Sequence, residues 1–205
     1  MATYSDHSDH TKLTPARMEA FSDAVMAIII TLTVLEIKIP TGAGLDSLVL
    51  LVPSFLVYVV SFFTIGTYWN NHHHLLRATK HISAGIMWAN LYLLFWLSLI
   101  PVVTTWLGEH WQSYWPTALY AAVLLMVAVA YNLLELQIVQ HTEKREDLFR
   151  ELTEKPKGLI SMAVYVLAVI AAFYYPIISD GLIILVALMW FIPDRRIEKY
   201  IHQVS

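Results

Sequence analysis

One uncharged stretch constrains this chain more than any other feature. Between Asp23 and Glu36 no residue from Ala24 to Leu35 carries a charge, and the apolar run reaches from Phe21 to Ile39. As a helix that run spans roughly 28 Å, close to the ~30 Å hydrocarbon thickness of a bilayer. Ile28-Ile29-Ile30, followed by Thr31, Thr33 and Val34, is β-branched and would suit a strand in water. In lipid a lone strand leaves its backbone unpaired, so the expectation is a helix. The composition agrees: 58% of the 205 residues are hydrophobic and 14% charged, with a mean hydropathy of +0.58. These are the proportions of an integral membrane protein. A formal net charge of -3 gives no reason to expect a nucleic-acid partner. With no cysteine there is no disulfide, thiolate metal site or thiol chemistry.

Six apolar stretches are expected to span the bilayer, at about 18–39, 48–70, 83–106, 116–140, 158–175 and 177–193. They form one all-α domain over 15–205, preceded by a polar tail at 1–14 that is expected to be disordered. The tail lacks a signal-peptide pattern, so the first span serves as its own insertion signal. Pro53 is placed in the first turns of the second helix, where a missing N–H costs little, and Pro101 predicts a bend in the third. Trp106, Trp111 and Trp115 mark a membrane–water interface. The sixth stretch is short. It either borrows Pro176 to Asp180 and snorkels Arg195 and Arg196, or enters and leaves on the same side.

Charge arbitrates the topology. Lys12, Arg17, Arg77, Lys80, Lys144, Arg145, Arg150, Lys155, Lys157, Arg195, Arg196 and Lys199 fall on one side of a six-span chain. Lys38 alone lies opposite, and a five-span chain would move three basic residues across. The positive-inside rule then predicts cytoplasmic N- and C-termini in an inner membrane.

On a wheel of 100° per residue, Arg17, Phe21, Ala24, Ile28, Thr31, Leu32 and Leu35 share one stripe of the first helix. Glu19, Ser22, Asp23, Ala27 and Thr33 fall towards the other side. A carboxylate entering a membrane needs partners, so the Asp23 side is expected to pack on other helices. The apolar stripe is then free to meet lipid, another helix or a pore axis. Periodicity does not choose among these.

Three motifs bear on the choice. Arg17-x-x-x-Phe21-Ser22-Asp23 opens the first span, Tyr68-Trp69-Asn70-Asn71-His72-His73-His74-Leu75 ends the second, and Asn90 through Leu99-Ile100-Pro101 lies in the third. In that order they resemble the transmembrane protein 175 family of potassium channels, in its prokaryotic form of one six-span unit per chain. Phe-Ser-Asp occurs once, and the eukaryotic members resemble two such units in tandem. The resemblance therefore implies a homotetramer in the lipid bilayer, its pore lined by the first helix of each of four subunits. It further implies a hydrophobic constriction at Ile28, with additional rings at Thr31 or Leu32 and then at Leu35. It also implies a supporting network of Arg17, Phe21, Ser22 and Asp23 with Trp69, His72, His73, His74 and Arg77.

An apolar ring offers no oxygen in place of an ion's water, so the ion that holds water less tightly passes more easily. That favours potassium over sodium modestly and admits rubidium and caesium, without a cofactor. The Thr-Val-Gly-Tyr-Gly carbonyl filter is absent. Glu36 would form an acidic ring at the outer mouth, with Lys38 close enough to offset it.

Three consecutive histidines do not make a metal site, because adjacent helical residues fan out by about 100°. Their imidazoles titrate near neutrality, which makes proton sensing a secondary reading. Asn90, Asn132 and Glu135 are read as pairing groups between helices. The rival function is a secondary transporter, proton- or metal-coupled, which would need carboxylate and histidine pairs four apart deep in the membrane; none occurs. No Ser–His or metal constellation sits where an enzyme would need it.

Overall fold

A computed structural model describes residues 14–77, 79, 81–140 and 157–191. The tail before Thr14 falls outside the described residues, as do Lys80, the basic residues Lys144 to Lys155, and Arg195, Arg196 and Lys199. Among the described residues every regular element is helical: α1 (Pro15–Leu35), α2 (Leu45–Leu76), α3 (Ala84–Ser98), α4 (Ile100–Glu109), α5 (Tyr114–Gln140), α6 (Lys157–Ala172) and α7 (Pro176–Phe191). Taking α3 and α4 as one interrupted span, the helices make six passes.

Local chemistry sets the ends. The Thr14 hydroxyl caps α1 by accepting from the Arg17 amide, and Pro15 occupies the first turn, where its missing N–H is not needed. Ser83 caps α3 in the same way through the Ile86 amide. The third span breaks at Leu99 because Pro101 has no N–H to offer the Leu97 carbonyl. Pro53 differs from the expectation. The second helix starts at Leu45, so Pro53 lies inside it and removes the bond to the Val49 carbonyl. The last pass is one continuous helix of 16 residues, not a stretch that folds back on itself. At ~24 Å it and α6 cross only with local thinning of the bilayer or snorkelling at their ends.

α5 is the centre of the bundle, packing on α3, α4, α6 and α7. Its buried face is made of Tyr120, Ala121, Leu124, Val127, Ala128, Leu134 and Ile138. α1 sits at the periphery, against α2, α3 and α4. The end of the bundle where α1 begins is called the lower end below. Trp190 near the end of α7 donates to Ser161 near the start of α6 (2.8 Å), and Trp115 at the start of α5 stacks edge-on to Phe173 after α6. Those contacts give alternating helix directions.

α2 and α4 cross closely at Gly108. A Cβ built there would lie 2.8 Å from the Ser54 Cα and 2.9 Å from its Oγ, and a backbone atom cannot swing aside. Gly108→Ala is therefore expected to destabilise the bundle by about 1–3 kcal/mol through overpacking. Thermal unfolding in detergent checks this as a lowered midpoint with unchanged helical content.

Candidate functional site: the bare face of α1 and its anchors

Five residues of α1 are buried: Met18, Ser22, Met26, Ile29 and Thr33. They occupy one arc of the helix and dock it on α2, α3 and α4. The opposite arc is bare. Arg17, Phe21, Ala24, Ile28, Thr31, Leu32 and Leu35 are all exposed, Ile28 at 57%, Leu32 at 44% and Leu35 at 76%. Ala27, expected on the packed side, is exposed as well. Its small side chain sits at the edge of the docking arc, about 100° from Met26. Thr31 and Leu32 flank the Ile28–Leu35 line by about 50° on either side, so exposure leaves both available. The Thr31 hydroxyl donates to the Ile28 carbonyl at 2.9 Å, which turns its hydrogen back into the helix and keeps its lone pairs outward.

The docked arc is held at the lower end by polar contacts to two helices. The Trp69 indole N–H of α2 donates to Asp23 Oδ1 at 3.0 Å. One turn earlier on α1, Glu19 accepts from His73 Nδ1. Deeper in, Asn90 of α3 joins both neighbours: its Oδ1 is 2.7 Å from His72 Nε2, and its Nδ2 donates to Ser22 Oγ at 3.0 Å. The Ser22 hydroxyl in turn donates to the Met18 carbonyl at 2.9 Å. An amide oxygen only accepts, so this arrangement assigns the proton of His72 to Nε2. Ser22, His72 and Asn90 are all buried, Asn90 at 1% exposure. In such surroundings each hydrogen bond is costly to lose.

Not every residue singled out from the sequence joins this network. Arg17 and Phe21 lie on the bare face, and Arg77 is exposed at the end of α2. Among the described residues neither arginine pairs with Asp23. His74 lies edge-on to His73, ring centroids 5.6 Å apart. Conversely, Asn90 and Glu19 belong to the network and were not placed in it from the sequence. Asn90 was detectable as the one strong polar group within an otherwise apolar stretch of α3, and Glu19 as the residue one turn before Asp23.

At the upper end Lys38 Nζ pairs with Glu109 Oε1 at 2.7 Å, tying the segment after α1 to the end of α4. That hydrogen bond, followed by the charge of the same carboxylate, holds the lysine ammonium above its ordinary range. Lys38 is thus engaged by Glu109, while Glu36 stands exposed at the end of the bare face. The pair is solvent-exposed and contributes little to stability.

A multi-pass helical bundle whose first helix docks by one face and leaves an apolar face open defines a class: multi-pass helical membrane proteins. The comparisons narrow it. The profile of the family described as endosomal/lysosomal potassium channel TMEM175 matches residues 17–101, which hold all three motifs. A potassium channel of Chryseobacterium sp. (strain P1-3) is 48% identical over 91% of this chain and 97% of its own length. A potassium channel of Streptomyces collinus is 36% identical over 58% of this chain and 61% of its own. Among solved structures, the crystal structure of a lysosomal potassium-selective channel TMEM175 homolog from Chamaesiphon minutus superposes with a TM-score of 0.75. It is 28% identical and is covered over 95% of its length by 86% of this chain. The chain belongs to the TMEM175 family.

Proposed function

We propose that this protein is a potassium channel of the leak type, formed by four copies whose α1 helices stand round a common axis with their bare faces inward. The observation that carries the reading is the exposure of Ile28, Thr31, Leu32 and Leu35 on a helix whose other face is fully docked. One helix cannot enclose a pore, but four can, and identical side chains then meet as rings. Ile28 forms the narrowest ring, with Leu35 and either Thr31 or Leu32 above it, and Glu36 concentrates cations at the outer mouth. An ion crossing the Ile28 ring sheds water without compensation. Potassium is therefore favoured over sodium by a modest factor, and rubidium and caesium follow it. The contacts of Asp23 with Trp69, of Glu19 with His73, and of Ser22 and His72 with Asn90 hold α1 against its own subunit so that this face stays turned to the axis. Both termini lie on the cytoplasmic side of the inner membrane, where Arg17 and Arg77 at the lower end obey the positive-inside rule.

Reversal potentials of the purified protein in a planar bilayer test the proposal, with potassium on one side and sodium on the other. The potential is expected to move towards the potassium equilibrium value, with measurable rubidium and caesium currents. A flux that saturates at transporter turnover or demands a counter-ion would overturn it.

A further inference from the structure

The upper end of the subunit carries several carboxylates and one strong cation. Glu36 is the C-cap of α1, Asp46 lies in the first turn of α2, and Glu109 is the last residue of α4. Of the Lys and Arg residues in the chain, Lys38 alone falls at this end of a six-span topology. Asp46 stands at a helix N-terminus, where the helix dipole favours a carboxylate. Glu36 and Glu109 stand at helix C-termini, where the dipole disfavours one. Neither is explained by the stability of its own helix, and both compete for the same lysine.

Lys38 is two residues from Glu36 in the chain, yet it reaches the other way. Its Nζ lies 2.7 Å from Glu109 Oε1, a charge-assisted hydrogen bond. Glu109, through that bond and its charge, acts on the ammonium more strongly than Glu36 does. The Glu109 side chain is 30% exposed, so the pair forms against the end of α4 and not in open water. Glu36 is exposed and has no ion-pair partner among the described residues. A lysine side chain that is itself 78% exposed is held only weakly. Without Glu109, nothing keeps it from the carboxylate beside it.

We propose that Glu109 sets the conductance of the channel by holding Lys38 away from Glu36, which leaves the Glu36 carboxylates free to gather cations at the outer mouth. This role rests on the reading of α1 as the pore helix. An ammonium beside a carboxylate leaves little net field for an approaching ion. Fourfold repetition multiplies the change: four lysines swung onto four Glu36 side chains cancel the whole acidic ring. Glu109 does not meet the ion. It is a positioning residue that acts through Lys38, and the weakness of the pair lets a single substitution move the lysine from one acid to the other.

Unitary currents of the full-length protein in a planar bilayer provide the test, at about 0.1 M and about 1 M potassium, where charges act over roughly 10 Å and 3 Å. At the lower salt Glu109→Gln is expected to reduce the current entering from the upper end about twofold, and Glu36→Gln by about the same factor. Both losses should fade at the higher salt. Asp46→Asn removes the same charge from the same end without releasing a lysine, and its current should stay near the wild-type value. In a Lys38→Gln background Glu109→Gln should have no further effect, whereas a residue acting only through its own charge would lower the current there as well. Glu109→Ala takes the place of Glu109→Gln if that variant does not assemble. If Glu36→Gln lowers the current but Glu109→Gln does not, or does so equally with and without Lys38, the role of Glu109 is overturned while the pore stands. If the wild type passes no potassium, or Glu36→Gln leaves its current unchanged, the placement of Glu36 at a pore mouth fails and the role of Glu109 falls with it.

Discussion

Ile28→Asn is expected to let sodium through. With four copies at one ring, the substitution replaces a collar of sec-butyl groups by four amides, each carrying an oxygen that can stand in for ion-bound water. The cost of dehydration at the ring falls, and it falls further for sodium, whose water is held more tightly. The potassium-over-sodium permeability ratio should therefore drop towards unity while single-channel conductance rises. Reversal potentials under opposed potassium and sodium gradients measure the first, and unitary currents in symmetrical potassium measure the second. The backbone has no reason to move: Ile28 is 57% exposed and makes no hydrogen bond through its side chain, so the variant should fold and assemble as the parent does. An unchanged permeability ratio would place the constriction elsewhere on the bare face.

The second large effect concerns Asn90. Asn90→Leu keeps the branched shape of the side chain, at a larger volume, but removes both hydrogen bonds that join α3 to α1 and α2. Ser22 still has the Met18 carbonyl. His72 has nothing left, because its Nδ1 is already without a partner and the ring is fully buried. Hydrogen bonds inside membrane bundles contribute modestly, but a stranded buried imidazole adds its desolvation, so a loss of about 2–4 kcal/mol is expected. The double variant Asn90→Leu with His72→Leu should recover about 1–3 kcal/mol of that loss, since removing both partners leaves no orphan. Unfolding in detergent, followed by tryptophan fluorescence, measures both. Additive losses in the double variant would mean that the two residues act independently and that the network is not what holds α1.

Much of the fold was legible in the residues alone, for a reason particular to lipid. With no water to satisfy the backbone, an apolar run of sufficient length has one solution, and so the uncharged stretch beginning at Ala24 is helical despite its β-branched triplet. Pro101 interrupts the third span at Leu99, where its missing N–H removes a bond of the helix ladder. The two faces of α1 followed from 100° periodicity, with Ser22 and Thr33 inward and Ile28 and Leu35 outward. Ala27 went the other way because a methyl at the edge of an arc is decided by how near the neighbouring helices come, which periodicity does not contain. Pro53 was misplaced for a related reason. Where α2 starts depends on Leu45, Asp46 and Ser47 joining the helix ahead of its apolar run.

Partner choice was another matter. From the sequence, Asp23 had Trp69, three histidines and Arg77 as candidate donors at similar depth. Only the crossing of α1 with α2 selects the Trp69 indole for Asp23 and His73 for Glu19, and leaves Arg77 in the open. Asn90 becomes a hub because α3 passes within hydrogen-bond distance of both helices at that one level. The sequence by itself determined which segments enter the bilayer and which side of α1 is apolar, since those depend on transfer from water and on the period of a helix. The tertiary structure decided which polar groups meet inside it, because a hydrogen bond in lipid is a matter of ångströms and angles between helices remote in the chain.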